Sequence, residues 1–164
     1  MGSEDRGPSR DRALPRRRGL RATVRSAMLV ERANWRLRGD GGVMAEKVLI
    51  NMATGLEDGE RVTVAFLVAG AALERGRDVA MFLTKEAVRL AMPGHAEAVA
   101  CDGCPPLATL FEQFAQGGGE LLVCPICVKA RKLDADAFVA NARLAGATPM
   151  WEWLGDEAGT VFSY

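Results

Sequence analysis

Histidine is scarce in this sequence, and long apolar runs are missing. His95 is the one histidine among 164 residues, which excludes a site built from several imidazoles and leaves no Ser-His-Asp set to assign. No apolar run approaches the roughly 20 residues that a membrane-spanning helix needs, and no secretory signal pattern is recognisable. We therefore expect a cytoplasmic protein that does not associate with a membrane.

The composition is that of a globular chain with a single core. Apolar residues make up 49% of the sequence, charged residues 26% and aromatic residues 6%, values that exclude the disordered and fibrous classes. A length of 164 residues corresponds to one ordinary domain and is too short for two full ones.

The two parts of the chain differ in charge. Residues 1–43 hold eleven Arg, no Lys and five acidic residues, a net charge of +6, whereas residues 44–164 hold ten basic and sixteen acidic residues, a net charge of −6. The first segment is predicted to be a disordered basic arm, or an extension that precedes a true start at Met44. The acidic body argues against direct binding to nucleic acid.

From Lys47 onward, short apolar runs alternate with helical segments, which is typical of an α/β fold. Strands are predicted at residues 48–52, 78–83, 120–123, 142–147 and 159–164. The longest helix, of about sixteen residues, follows the turn TGLEDGE, and its apolar residues recur with the helical period. Right-handed crossovers between parallel strands place all their carboxyl ends at one edge, where the sites of α/β proteins lie.

Capping residues predict where several helices begin. Thr84 is the expected N-cap of a short helix after the second strand. Pro125 suits the first position of a helix that follows the third strand directly. Thr148 and Pro149 are the expected N-cap and first residue of the last helix.

All four cysteines occur in two Cys-x-x-Cys pairs, Cys101 and Cys104 in CDGC and Cys124 and Cys127 in CPIC. Nineteen residues separate the pairs, a spacing that suits a zinc site made by four thiolates. The amphipathic helix predicted between the pairs opposes that interpretation, because a zinc ribbon has a compact hairpin there. No stable disulfide is expected, since cysteines of a cytosolic chain are more often reactive or metal-bound.

Cys124 lies at a strand-to-helix junction, between LLV and PIC. Unpaired backbone N–H groups and the positive end of a helix favour a thiolate over a thiol, so we predict that Cys124 is a nucleophile. Cys127 is one turn later on the same face, where it could resolve an oxidised or sulfur-loaded Cys124 as a disulfide. Lys129, Arg131 and Lys132 add positive charge, but their expected role is to stabilise the helix end.

Three further features are weaker candidates for function. His95 is expected to be a surface-loop residue rather than a general base or metal ligand. The turn at residues 54–59 does not match a phosphate-binding glycine motif and is predicted to be a plain connection. Trp151 and Trp153 are expected to pack on the fold or to cover an oligomer contact.

The stretches LLVCPICVKAR and ERGRDVAMFLT resemble the DsrE/DsrF-like family, which includes TusD-related sulfur-relay subunits and proteins of the YchN-like fold. The likeness covers Met44 to Tyr164. It implies a three-layer α/β/α sandwich with a five-stranded, mainly parallel sheet, and assembly into oligomers, often trimers or hexamers. In the family the cysteine at this junction carries sulfur, and Cys124 matches it. The CDGC pair and Cys127 depart from the relay subunits.

Three functions are open at this point. The first is a sulfurtransferase-like persulfide carrier without a cofactor, in which Cys124 accepts sulfur from a donor protein and relays it to an acceptor thiol. The second is a dithiol redox protein, related to peroxiredoxins, in which Cys124 and Cys127 cycle between thiols and disulfide. The third is a non-enzymatic domain in which Cys101, Cys104, Cys124 and Cys127 hold zinc.

Overall fold

The computed structural model describes residues 46–156 and 159–164. The predicted arm at residues 1–43 and the alternative start at Met44 lie outside these residues. The strands are β1 (Lys47–Met52), β2 (Asp78–Leu83), β3 (Glu120–Val123), β4 (Ala142–Leu144) and β5 (Thr160–Ser163). The α-helices are α1 (Gly59–Glu74), α2 (Leu107–Gln116), α3 (Pro125–Ala130) and α4 (Ala147–Leu154). Short 3-10 helices occupy Lys85–Ala91, Ala96–Ala98 and Ala135–Ala137.

The five strands form one parallel sheet in the order β4-β3-β2-β1-β5. The chain steps in one direction from β1 to β4, so right-handed crossovers place α1, α2 and α3 on the same face. It then returns across the sheet to β5, which places α4 on the opposite face. The result is the expected α/β/α sandwich with a five-stranded parallel sheet. Within the described residues, no helix has the length and apolar character needed to cross a membrane.

The larger core lies between the sheet and the helices α1 and α2. Phe66 of α1 contacts Phe111 and Phe114 of α2, with ring centroids 5.3 Å and 5.5 Å apart. Phe114 is fully buried and meets Phe66 edge to face, an arrangement that aromatic rings favour. On the opposite face a smaller cluster forms where Leu154 of α4 packs against Leu49 and other buried residues of the sheet.

One predicted helix start is confirmed and another is wrong. Thr84 is the N-cap of the short helix after β2, as predicted, but that helix is a 3-10 helix and the Thr84 hydroxyl donates to the carbonyl of Met52 at 3.3 Å rather than to the helix. The last helix begins at Ala147 with Gly146 as N-cap, so the prediction of Thr148 as N-cap is wrong. Pro149 lies inside the first turn, where a helix needs no backbone N–H and therefore tolerates proline.

Replacing Phe114 by alanine should lower the free energy of unfolding by about 3–5 kcal/mol, because a fully buried ring is lost and a cavity remains against Phe66. Val64 on α1 is 41% exposed, and Val64→Ala is the matched control, with an expected loss of less than about 1 kcal/mol. Urea unfolding followed by circular dichroism measures both values. Similar losses of unfolding free energy in the two variants would contradict the burial of Phe114 in the larger core.

Candidate functional site

The candidate site lies at the carboxyl end of β3. The backbone N–H of Cys124 donates to the carbonyl of Leu83 at 3.0 Å, which extends the pairing with β2 by one residue. Pro125 then opens α3, as predicted, and the N–H of Val128 closes the first helical turn on the carbonyl of Cys124 at 3.1 Å. Cys124 is therefore held from both sides at the junction between strand and helix.

Cys124 and Cys127 are both free thiols and both half-exposed, but their sulfur atoms have different surroundings. The backbone N–H of Lys85 donates to the Sγ of Cys127, with an N–S distance of 3.2 Å. The side chain of Cys124 makes no capping hydrogen bond to α3. A hydrogen bond thus fixes the sulfur of Cys127, whereas no capping bond restrains that of Cys124.

The hydrogen bond to Cys127 comes from a strained turn. Lys85 has a φ of 47°, in the left-handed region that costs a residue other than glycine roughly 1–2 kcal/mol. Surrounding contacts must hold such a residue in place, and strained residues of this kind cluster at functional sites. The strained Lys85 thus brings the loop after β2 into direct contact with Cys127 of the candidate site.

Glu86, the next residue, connects this loop to α3. Its carboxylate accepts hydrogen bonds from the side chains of Arg89 and Arg131, both with Nε at 2.9 Å. Arg131 also donates through Nη1 to the carbonyl of Cys127 at 3.3 Å, which is the helix-end role expected for it. The hydrogen bonds from Arg89 and Arg131 hold the pKa of Glu86 below its usual 4.5. The charged carboxylate therefore ties the loop after β2 to the end of α3.

The turn at residues 54–59 contacts the same loop. A Cβ atom on Gly55 would lie 2.5 Å from the carbonyl oxygen of Glu86, so the two backbones are in direct contact and only glycine fits. Asp58 ends the turn and caps α1 by accepting the N–H of Arg61 at 3.0 Å. The segment is a connection, as predicted, but it also supports the residues beside Cys127. The sequence alone offered no sign of this contact or of the role of Glu86.

Cys101 and Cys104 form a disulfide, so the prediction that the chain has no stable disulfide is wrong. Their Cα atoms are 5.4 Å apart, an ordinary distance for this bond. A local turn brings them together: Gly103 has a φ of 76°, and the N–H of Cys104 donates to the carbonyl of Cys101 at 3.2 Å. The expectation of no disulfide rested on compartment alone and took no account of this turn.

The four cysteines do not meet at one point. In the described part of the chain, no group of three or more His, Cys, Asp or Glu side chains is arranged to hold a metal ion. His95 is half-buried, and its Nδ1 lies 3.3 Å from the carbonyl oxygen of Pro93 in the same loop. On α4, Trp153 packs on the second face of the sheet, whereas Trp151 is 65% exposed.

Gly55→Ala should lower the free energy of unfolding by about 1–3 kcal/mol, because the added methyl group collides with the backbone of Glu86. Gly70 on α1 has open space around its Cα, so Gly70→Ala is the matched control. That change should leave stability unchanged or raise it by up to about 1 kcal/mol, since alanine favours a helix. Urea unfolding compares the variants, and equal behaviour would contradict the contact between the two loops.

Glu86→Gln should lower the melting temperature at pH 7, because the charged contacts with Arg89 and Arg131 are lost. The folded-state pKa of Glu86 is lowered, so its stabilising effect is present above the usual 4.5 and is lost as the pH falls through the folded value. The melting curves of the two proteins should therefore converge in acid. Glu152→Gln, at an exposed position of α4, is the control. If the melting temperatures of Glu86→Gln and the parent protein differed by the same amount at all pH values, the charged carboxylate of Glu86 would not be the source of the stabilisation.

Comparison with known proteins gives the same architecture. The sequence is 30% identical over 103 residues to the uncharacterized protein MK0008 of Methanopyrus kandleri, a match that covers 63% of this chain and 82% of that protein. The crystal structure of the YchN protein from E. coli superposes with a TM-score of 0.59 at 15% identity, over 74% of this chain and all of that one. A conserved protein of unknown function from Bacteroides thetaiotaomicron, BT1422, superposes with a TM-score of 0.52 at 18% identity, over 75% of this chain and all of that one.

These structural likenesses concern the fold. The family model adds a match at the level of sequence, because the model of the DsrE/DsrF-like family covers residues 46–162. That range includes the first four strands, all but the last residue of β5, and both cysteine pairs. The chain belongs to the DsrE/DsrF-like family, whose members are generally related to sulfur relay.

Proposed function

We propose that this protein carries a persulfide on Cys124 and relays the sulfur between a donor protein and an acceptor thiol. One observation carries the proposal: a free, half-exposed thiol lies at the carboxyl end of β3 in a chain of the DsrE/DsrF-like family. Ligand sites of parallel α/β sheets lie at this edge. The position also matches the sulfur-carrying cysteine implied by the family resemblance.

Loading is a thiol-exchange reaction at sulfur. The Cys124 thiolate attacks the outer, sulfane sulfur of a persulfide on the donor and forms a new S–S bond. The S–S bond of the donor breaks, and the donor sulfur leaves as a thiolate that takes up a proton from water. Cys124 then holds the transferred atom as a persulfide. No electrons are gained or lost overall, so the step requires no redox cofactor.

Delivery repeats the same chemistry in the opposite direction. An acceptor thiolate attacks the outer sulfur of the Cys124 persulfide, and Cys124 leaves as a thiolate. Such a leaving group must be reachable by a second protein, and the half-exposed position of Cys124 meets that requirement. Pro125 is exposed, and Ile126 is exposed by 78%. These apolar side chains next to the thiol offer a contact for a protein donor or acceptor.

Cys127 fits the role of a resolving thiol. Its thiolate can attack the inner sulfur of the Cys124 persulfide, which forms a Cys124–Cys127 disulfide and releases the outer sulfur as hydrosulfide. The N–H of Lys85 holds the Cys127 sulfur in a fixed position, so this reaction competes with delivery only when the two sulfur atoms approach. An external dithiol would restore the two thiols by reduction.

Self-association is a further part of the proposal. Large apolar side chains are exposed on the edge strands and on α4: Leu144 by 47%, Val161 by 56%, Phe162 by 38% and Trp151 by 65%. Exposed apolar surface of this kind supports contact between subunits. A homo-oligomer, with the trimer or hexamer expected from the family resemblance, and a cytoplasmic location stay predictions.

Loading with a small-molecule persulfide should add one sulfur atom to the tryptic peptide that contains Cys124, as read by mass spectrometry. Cys124→Ala should reduce this adduct at least about tenfold, because the attacking thiolate is absent. The double variant Cys101→Ala/Cys104→Ala is the matched control and should load like the parent protein. Cys127→Ala should load normally but release less hydrosulfide.

Sulfur retained equally well by Cys124→Ala would refute the proposal. Reversible oxidation that depends on Cys127, in a protein that never loads sulfur, would instead favour the dithiol redox alternative. Metal analysis of untagged protein tests the four-thiolate alternative, which requires about one zinc ion per chain.

A further inference from the structure

The Cys101–Cys104 disulfide has no part in the proposed relay. The pair follows the 3-10 helix Ala96–Ala98 and precedes α2, and the Sγ of Cys101 lies 3.8 Å from the hydroxyl oxygen of Thr63 on α1. Sulfur relay by Cys124 exchanges thiols and persulfides without net oxidation, so it needs no second S–S bond. The disulfide therefore calls for a separate explanation, either as a structural cross-link or as a reactive group.

The surrounding contacts hold this loop without help from the disulfide. The bond joins residues only three positions apart, so it restricts the unfolded chain little. The turn is already closed by the hydrogen bond between the N–H of Cys104 and the carbonyl of Cys101. On either side, Val99 and Leu107 are buried, with 5% and 2% exposure. A structural cross-link would add little to a segment anchored in this way.

A second anchor comes from α1. A Cβ atom on Gly59 would lie 2.5 Å from the carbonyl oxygen of Ala100, so the start of α1 packs directly on the backbone next to Cys101. The segment that carries the disulfide is therefore fixed against the fold one residue before the first cysteine. Breaking the S–S bond would leave this contact in place.

The disulfide is open to approach from outside. Cys101 and Cys104 are both half-exposed, and both line an open hollow of about 360 Å³ together with Pro105, Pro106 and other residues of the same segment. Thiol–disulfide exchange depends on access to the attacked sulfur, and exposed disulfides are the labile ones. A hollow of this size admits a small thiol or the cysteine side chain of a partner.

The reduced state would also be accommodated. The hydroxyl of Thr63 donates its proton to the carbonyl of Gly59 at 2.7 Å, so its oxygen is left as an acceptor beside the Sγ of Cys101. A thiol on Cys101 can donate to that oxygen. After reduction, the S–H group of Cys101 would therefore have a hydrogen-bond acceptor already in place, the hydroxyl oxygen of Thr63.

We propose that Cys101 and Cys104 form a redox-active pair that accepts two electrons from an external dithiol, independently of Cys124 and Cys127. A donor thiolate attacks one sulfur of the pair, the S–S bond breaks, and the other sulfur leaves as a thiolate and takes up a proton. The second thiol of the donor then attacks the mixed disulfide and releases the first sulfur. The protein ends with two thiols, and the donor ends as a disulfide.

The test uses the full chain carrying Cys124→Ser and Cys127→Ser, which cannot carry sulfur and so separates this proposal from the relay. The protein is treated with dithiothreitol, free thiols are alkylated at intervals, and the Cys101–Cys104 peptide is quantified by mass spectrometry. The rate of reduction in the native protein should lie within about tenfold of the rate in the urea-unfolded chain, because access is open. Oxidised glutathione, added after the dithiothreitol has been removed, should restore the bond, and the reduced protein should remain folded by circular dichroism.

Three results would overturn the proposal. A native rate more than about tenfold below the unfolded rate would show that the fold protects the bond, as it does for a structural disulfide. Unfolding on reduction would show that the bond holds the fold together. Thiols that stay reduced in excess oxidised glutathione would show that the pair does not form a disulfide in solution. The further variant Cys101→Ser/Cys104→Ser, built in the same chain, gives the background of alkylation.

Discussion

The backbone ladder of the parallel sheet continues one residue beyond three of its strands, and the candidate site depends on that continuation. The N–H groups of Thr84, Cys124 and Ala145 each donate to the carbonyl of the last residue of the neighbouring strand, at 2.8, 3.0 and 2.9 Å. Each bond fixes the place where a loop leaves the sheet. The loops after β1 and β2 and the start of α3 after β3 are therefore neighbours, and they form the surroundings of Cys124 and Cys127 through their own contacts.

Those contacts explain why two cysteines of similar exposure are assigned different roles. Gly55 packs on the backbone of Glu86, Glu86 binds Arg131, and the turn at Lys85 supplies the N–H that reaches Cys127. Cys127 is thus part of a network that joins two loops and α3, whereas Cys124 is fixed through its backbone alone. A sulfur atom without a capping bond suits the role proposed for Cys124, which takes sulfur from a donor protein and passes it to an acceptor. A sulfur atom held by a hydrogen bond suits the role proposed for Cys127, which reacts only with Cys124 of the same chain.

Local patterns in the sequence predicted most of the fold. The strands β2 and β3 were predicted with their observed bounds, because each is an apolar run that follows a glycine-containing turn. Pro125 marked the start of α3 for the same kind of local reason. The start of α4 was missed because Gly146 carries no capping side chain, and Pro149 gave a misleading signal two residues after the helix begins.

Only part of the candidate site could be predicted from local sequence patterns. The junction at Cys124 depends on neighbours in the sequence and could be predicted, whereas the contacts that surround Cys127 join residues far apart. Glu86 and Arg131, for example, are separated by 45 positions, and no local pattern relates them.

The two Cys-x-x-Cys pairs show why spacing alone does not determine thiol chemistry. In CDGC, a glycine with positive φ closes a turn and brings the two cysteines within bonding distance. In CPIC, proline starts a helix instead, and the two thiols remain free. The residues between the cysteines select a turn in one case and a helix in the other. The same spacing therefore gives a closed disulfide in one pair and two free thiols in the other.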